Sequence, residues 1–129
     1  MQAGLIGLPR SGKTTLFRAL TGQAVPASGS VEAHVAVVTV PDPRFDRLVL
    51  VFEPKKSVPA TVQVMDFAGI GAGEGKGIPA QALAKIGTSD ALCAVIRAFD
   101  DGSGVAPDPA GDLENLALEM ILSDLQKIE

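Results

Sequence analysis

Gly7-Leu8-Pro9-Arg10-Ser11-Gly12-Lys13-Thr14 matches GxxxxGK[ST] at every fixed position, the pattern of a phosphate-binding P-loop. Its flanks agree. Ala3-Gly4-Leu5-Ile6 reads as a short buried strand and Thr14-Thr15-Leu16-Phe17-Arg18-Ala19-Leu20 as a helix. The glycines let the main chain curl until several N–H groups point at one anion. The helix starts at the loop, so its unpaired amides and positive dipole end face the same place. Lys13 is placed to reach the β- and γ-phosphates, and the Thr14 hydroxyl to ligate Mg²⁺. Pro9, Arg10, Ser11, Gly12, Lys13, Thr14 and Thr15 are therefore the candidate nucleotide contacts.

The bulk composition narrows the field. A chain of 129 residues with 47% apolar side chains can build one domain with a core. No apolar run approaches the roughly 18 residues that span a bilayer. The first strand starts without a signal-like segment before it, so a cytoplasmic protein is expected, without membrane partners. The single cysteine, Cys93, lies in an apolar run and is expected as a small buried filler rather than a nucleophile. A net charge of −4 argues against a generally basic nucleic-acid surface, and no direct DNA binding is expected. With no Trp or Tyr, an aromatic base-stacking platform is not expected either.

Outward from the P-loop, Gln23 to Glu32 is rich in Ala, Ser, Gly and Pro and reads as a loop. Val35 to Val40 is β-branched and strand-like. Pro41-Asp42-Pro43-Arg44 then stops the strand and starts a helix, with Asp42 as cap and Pro43 where a missing N–H costs nothing. Phe45, Leu48, Val49 and Phe52 recur at i, i+3, i+4, i+7, which predicts one buried face, and Glu53-Pro54 ends the helix. Thr61 to Asp66 is a third strand. A Gly-rich loop from Phe67 to Gly77 follows, then a short helix around Ala80 to Ile86, closed by Gly87. Ala91 to Ile96 is nearly all apolar, as expected of a central strand covered on both faces. After a polar loop from Asp100 to Gly111, Asp112 to Glu129 reads as an amphipathic helix whose stripe is Leu113, Leu116, Ala117, Met120, Ile121, Leu125 and Ile128. Alternating strands and helices predict a three-layer α/β domain with a mostly parallel sheet.

Asp66-Phe67-Ala68-Gly69 has the form DxxG at the end of the third strand. One strand downstream of a P-loop, this points to a GTPase-type switch: Asp66 holds Mg²⁺, and the motif implies that the Gly69 amide senses the γ-phosphate. Lys13 and Gly69 are the candidate catalytic groups. Ile70 stands where Ras-like proteins carry the glutamine that orients water, and an aliphatic side chain cannot polarise water. Ser28 and Ser30, in the loop before the second strand, each offer a hydroxyl to Mg²⁺; either can equally be a solvated loop serine. Thr14, Ser30 and Asp66 are the candidate metal ligands.

Together these residues resemble the YchF family, the Obg-like ATPases among the translation-factor-related P-loop NTPases. The P-loop from Gly4 to Phe17, the junction Val40-Pro41-Asp42-Pro43-Arg44-Phe45-Asp46, the Asp66-Phe67-Ala68-Gly69-Ile70 segment, the run Gly73-Glu74-Gly75-Lys76-Gly77 and the final helix are all similar to that family's. The PDPR junction is the most specific of them. The resemblance implies a G-domain-like fold, slow Mg²⁺-dependent hydrolysis of ATP or GTP, and the ribosome or translation factors as partners. It also implies that residues 1–129 correspond to the N-terminal portion of the nucleotide domain, with 112–129 leading toward a helical arm. The family's base-reading segment has no counterpart here, so ATP and GTP both stay open.

The chain departs from the family in three places. Arg10-Ser11 stands where Asn-Val is usual, Ser30 aligns with the first-switch threonine, and the Asp100–Gly111 loop is shortened and lacks the family's histidine. The only histidine, His34, is expected as a solvated or core residue. Two other readings follow from these facts. One is a non-catalytic module that signals nucleotide occupancy. The other, a P-loop kinase, is disfavoured because the 100–111 loop has no arginine for a lid.

Overall fold

The computed structural model describes residues 1–22, 34–67, 84 and 86–125. Four strands form one sheet in the order β2-β3-β1-β4. They are β1 (Gln2–Ile6), β2 (His34–Thr39), β3 (Thr61–Asp66) and β4 (Ala91–Ala94). β1 runs parallel to both β3 and β4, while β2 pairs antiparallel with β3. The helices are α1 (Lys13–Thr21), α2 (Pro43–Phe52) and α3 (Pro109–Leu125).

The period of two along each strand sorts the core into two halves. Leu5, Ala36 and Val64 project to one face, where Phe17 and Leu16 of α1 close over them. Ile6, Met65 and Phe67 project to the other face and meet Ile86 together with Leu116 and Met120 of α3. Helix, sheet and helix thus make the expected three layers.

Local signals place the helix ends. Gly12, with φ +94°, is the N-cap residue of α1, and Gly22 closes the helix by donating its N–H to the Arg18 carbonyl. Asp42 caps α2 by accepting the Arg44 N–H at 2.9 Å, with Pro43 at the first helical position. Its carboxyl sits below the ordinary carboxylate range, first because the Arg44 side chain donates to it. The same device recurs at α3: Asp108 Oδ1 accepts the Gly111 N–H at 3.1 Å, and Pro109 opens the helix. α3 therefore starts three residues before the expected Asp112.

Burial corrects four expectations. No residue of α2 is buried; Phe45 and Val49 are half-covered, while Leu48 and Phe52 are exposed. Periodicity identifies residues that share a face, but not whether another element covers it. The Ala91–Ile96 run is not a strand buried on both faces: β4 ends at Ala94, lies last in the sheet order, and all of its residues are exposed. Cys93 is accordingly exposed, not a core filler. On α3, Leu116 and Met120 pack inward, but Leu113, Ala117, Ile121 and Leu125 of the expected stripe are exposed. Ser123, a polar residue, is buried instead.

The Gln23–Glu32 loop, Ser28, Ser30, Gly69, Ile70, the Gly73–Gly77 run and most of the helix expected over Ala80–Ile86 lie outside the described residues, as does Ile128. His34 opens β2, half-buried, with its ring 6.4 Å from that of Phe17.

Candidate functional site

Three parallel strands, β3, β1 and β4, finish at the same edge of the sheet. Leu5 is in register with Asp66 and Ile6 with Ala94. The chain leaves β1 toward β3 on one side and returns as β4 on the other, and ligands of open α/β sheets bind outside the carboxyl ends of strands at such a reversal. The P-loop occupies that place.

The loop is held from below and shaped from within. The Val95 N–H donates to the Ile6 carbonyl at 2.7 Å, and the Ser11 N–H donates to the Leu8 carbonyl at 3.3 Å. A Cβ at Gly7 would come within 2.3 Å of the Val95 carbonyl oxygen, so only glycine lets β4's continuation pass this closely. Gly12 has its own requirement, since φ +94° is strained for any L side chain. A pocket of about 250 Å³ lies over the loop, lined by Arg10, Ser11, Gly12, Lys13, Thr14, Thr15 and Phe99. Of the seven nucleotide contacts expected from sequence, Pro9 alone does not line it; Pro9 lines a neighbouring cavity.

Lys13 is buried, and its Nζ donates to the carbonyls of Gly7 at 2.8 Å and Leu8 at 3.0 Å. Burial pushes its pKa below the usual 10.5, and the nearby Asp66 carboxylate opposes this in part. Desolvation penalises the ammonium while a neighbouring anion favours it. A folded pKa below the unfolded one means that the ammonium costs stability at neutral pH. That cost is lifted as the pH rises through the folded value toward 10.5. A bound polyphosphate pulls the other way, because it needs the ammonium. Nucleotide affinity is therefore expected to fall as the pH climbs from neutrality, with the decline starting below 10.5. Calorimetric titration across that range checks this, and a flat profile would count against Lys13 as a phosphate ligand.

Asp66 completes the site through strand geometry. Alternation along β3 puts it on the α1 side with Val62 and Val64, and Thr14 sits in the first turn of α1. The Thr14 hydroxyl donates to Asp66 Oδ2 at 2.8 Å. Asp66 is fully buried, yet its Oδ1 has no hydrogen-bond partner among the described residues, and neither has the buried Ser11 Oγ. Buried polar atoms are rarely left unpaired without a reason. A hydroxyl and a carboxylate in contact, with one carboxylate oxygen still unpaired, fit Mg²⁺, which takes one or two protein ligands and fills its octahedron with water and phosphate oxygens. No cluster of three or more His, Cys, Asp or Glu exists among the described residues, so a cage made wholly of side chains is not offered there.

Sequence reading missed the groups that reach the P-loop from the segment after β4. Asp101 receives Arg97 Nη1 at 2.9 Å and Arg10 Nε at 3.1 Å. Phe99 lies against Gly12. The opposite charges of Arg97 and Asp101 at i, i+4 were visible, but in a segment without helical pattern that spacing carries no meaning by itself.

The model of the 50S ribosome-binding GTPase family matches residues 2–127. The chain belongs to that family. Family relatives include the ribosome-binding ATPase YchF of Bacillus subtilis, 39% identical over all of this chain and 38% of the relative. Obg-like ATPase 1 of Schizosaccharomyces pombe is 36% identical over all of this chain and 36% of its own length. A solved structure, that of the S. pombe YchF GTPase, superposes with a TM-score of 0.73 at 34% identity, over 98% of this chain and 36% of that one. The YchF resemblance read from the P-loop, the PDPR junction and the DxAG segment is thus borne out. The chain spans less than two fifths of the length of these relatives. Among the described residues no helix is long and apolar enough to cross a membrane.

Proposed function

We propose that this chain is the phosphate- and magnesium-binding part of a YchF-like nucleotide switch, which binds ATP or GTP and hydrolyses the β–γ bond slowly. The observation that carries the reading is the hydrogen bond between the Thr14 hydroxyl and the buried Asp66 carboxylate beside Lys13. It unites the two sequence motifs at one edge of the sheet. Thr14 and Asp66 would hold Mg²⁺, which neutralises charge on the β- and γ-phosphates when bound. Lys13 and the loop amides orient the phosphates and offset their charge, and a water is the nucleophile. Ser30 as a further metal ligand and the Gly69 amide as γ-phosphate sensor belong to the same proposal, on sequence alone.

Residues 1–129 act as the N-terminal portion of the nucleotide domain, with the end of α3 leading toward a helical arm. The names of the relatives support the ribosome as partner and, with it, a cytoplasmic location. Titration of the full chain with ATP-γ-S and GTP-γ-S, in Mg²⁺ and in EDTA, tests the reading. Saturable binding that needs Mg²⁺ is expected; a folded chain that binds neither nucleotide overturns it. Ile70, in place of a water-orienting residue, favours a second reading, a module that binds without turnover. Phosphate release under single-turnover conditions separates the two.

A further inference from the structure

Arg10 is the P-loop residue whose side-chain partners the nucleotide motif does not explain. Its φ is +64°, in the left-handed region, although it is not glycine. Such a conformation costs an L-residue on the order of 1–2 kcal/mol, and outliers of this kind gather where function holds them in place. What holds Arg10 is a brace from the segment after β4. Arg10 Nε meets Asp101 Oδ2 at 3.1 Å, and Arg97 Nη1 grips the other carboxylate oxygen at 2.9 Å. The Ser103 hydroxyl and N–H both donate to Asp101 as well. Arg97 in turn reaches the carbonyls of Val105 and Ala106.

The exposures run in one direction. The side chains of Asp101 and Arg97 are 10% and 13% exposed, whereas that of Arg10 is 63% exposed. Two nearly buried groups therefore orient a third that faces the solvent. One carboxylate is shared by the two guanidinium groups, and a second, that of Asp112, lines the same cavity without an ion pair to either. Arg10 lines the pocket that holds Lys13 and Thr14, and its other side lines a cavity of about 360 Å³ next to Arg97 and Asp101. Engagement through Nε leaves the outer Nη groups without a partner residue other than Asp101 among the described residues. A planar fork of this kind suits phosphate oxygens better than a point charge does.

We propose that Arg10, positioned by Asp101 and Arg97, contacts the terminal phosphate of the bound nucleotide and gives the site its preference for a nucleoside triphosphate over a diphosphate. The proposal rests on the P-loop reading above, and its test separates the two. ATP-γ-S, GTP-γ-S, ADP and GDP are titrated with Mg²⁺ into the full chain, Arg10→Ala, Arg10→Lys, Asp101→Asn and Lys13→Ala, each checked for folding by circular dichroism. Because Arg10→Ala removes a charge-assisted hydrogen bond to one phosphate only, it should weaken triphosphate binding about tenfold or more and leave diphosphate binding within about twofold. Arg10→Lys recovers part of that preference. Asp101→Asn, which loosens the brace, reduces it without touching diphosphate affinity. If the parent binds, Lys13→Ala does not, and Arg10→Ala weakens tri- and diphosphate equally or neither, Arg10 is a structural brace and the proposal is overturned. If the folded parent binds nothing, the P-loop reading fails and this proposal falls with it.

Discussion

Replacing Lys13 with alanine is expected to remove measurable nucleotide binding while the domain stays folded. The ammonium is the only cation buried in the phosphate pocket among the described residues, and its two present acceptors are loop carbonyls, not a carboxylate. A hydrogen bond to a charged group is worth about 1.5–3 kcal/mol, and a single lysine between two phosphates makes more than one of them. The affinity for ATP-γ-S or GTP-γ-S should therefore drop by at least about 100-fold, since each 1.4 kcal/mol is a factor of ten. Folding should change little, because the substitution also removes an ammonium whose burial is unfavourable. Calorimetry with a parallel thermal melt reads both. Retained binding in a folded Lys13→Ala chain would mean that the loop amides alone hold the anion, and the role given to Lys13 would be wrong.

Phe17→Ala is expected to produce the largest loss of stability. Phe17 is 1% exposed and is the α1 residue around which Leu5, Ala36 and Val64 cluster, with the His34 ring alongside. Truncating a core phenylalanine costs about 3–5 kcal/mol, through lost transfer free energy and the cavity left behind. Domains have only about 5–15 kcal/mol in total, so the variant should sit near its unfolding threshold. Urea melts at constant temperature check this; a loss below about 1 kcal/mol would show that α1 is not packed on the sheet as described. The site shares the consequence, because α1 carries Lys13 and Thr14 in its first turn. Mg²⁺ and nucleotide should partly restore the midpoint, as any ligand of the native state does.

The two predictions separate two jobs of one helix. In the proposed function its first turn would meet phosphate and metal, so that a missing group there weakens binding. The next turn faces the sheet, where a missing group weakens folding. The fold brings them together because α1 follows β1 directly and lies on the face to which β3 also directs Asp66.

Much of this was legible in the chain itself. The P-loop, the bounds of β3, the capped start of α2 at Asp42-Pro43 and the family all rest on local signals: residue spacing, period and the special backbone demands of Gly and Pro. Asp66 could be placed at the end of β3 beside the P-loop because the motif and the strand's end are both local. Asp108-Pro109 carries the same signal as Asp42-Pro43, and reading it would have placed the start of α3 correctly. What the tertiary structure alone decided is who meets whom. Whether the apolar face of α2 is covered, whether β4 lies inside the sheet or last in its order, and so whether Cys93 is buried, depend on elements that arrive from elsewhere in the chain. The pairing of Arg10 with Asp101 is of the same kind. An arginine in the P-loop and an aspartate after β4 say little apart, and they become a charged cluster beside the phosphate pocket only because parallel strands end at one edge of the sheet.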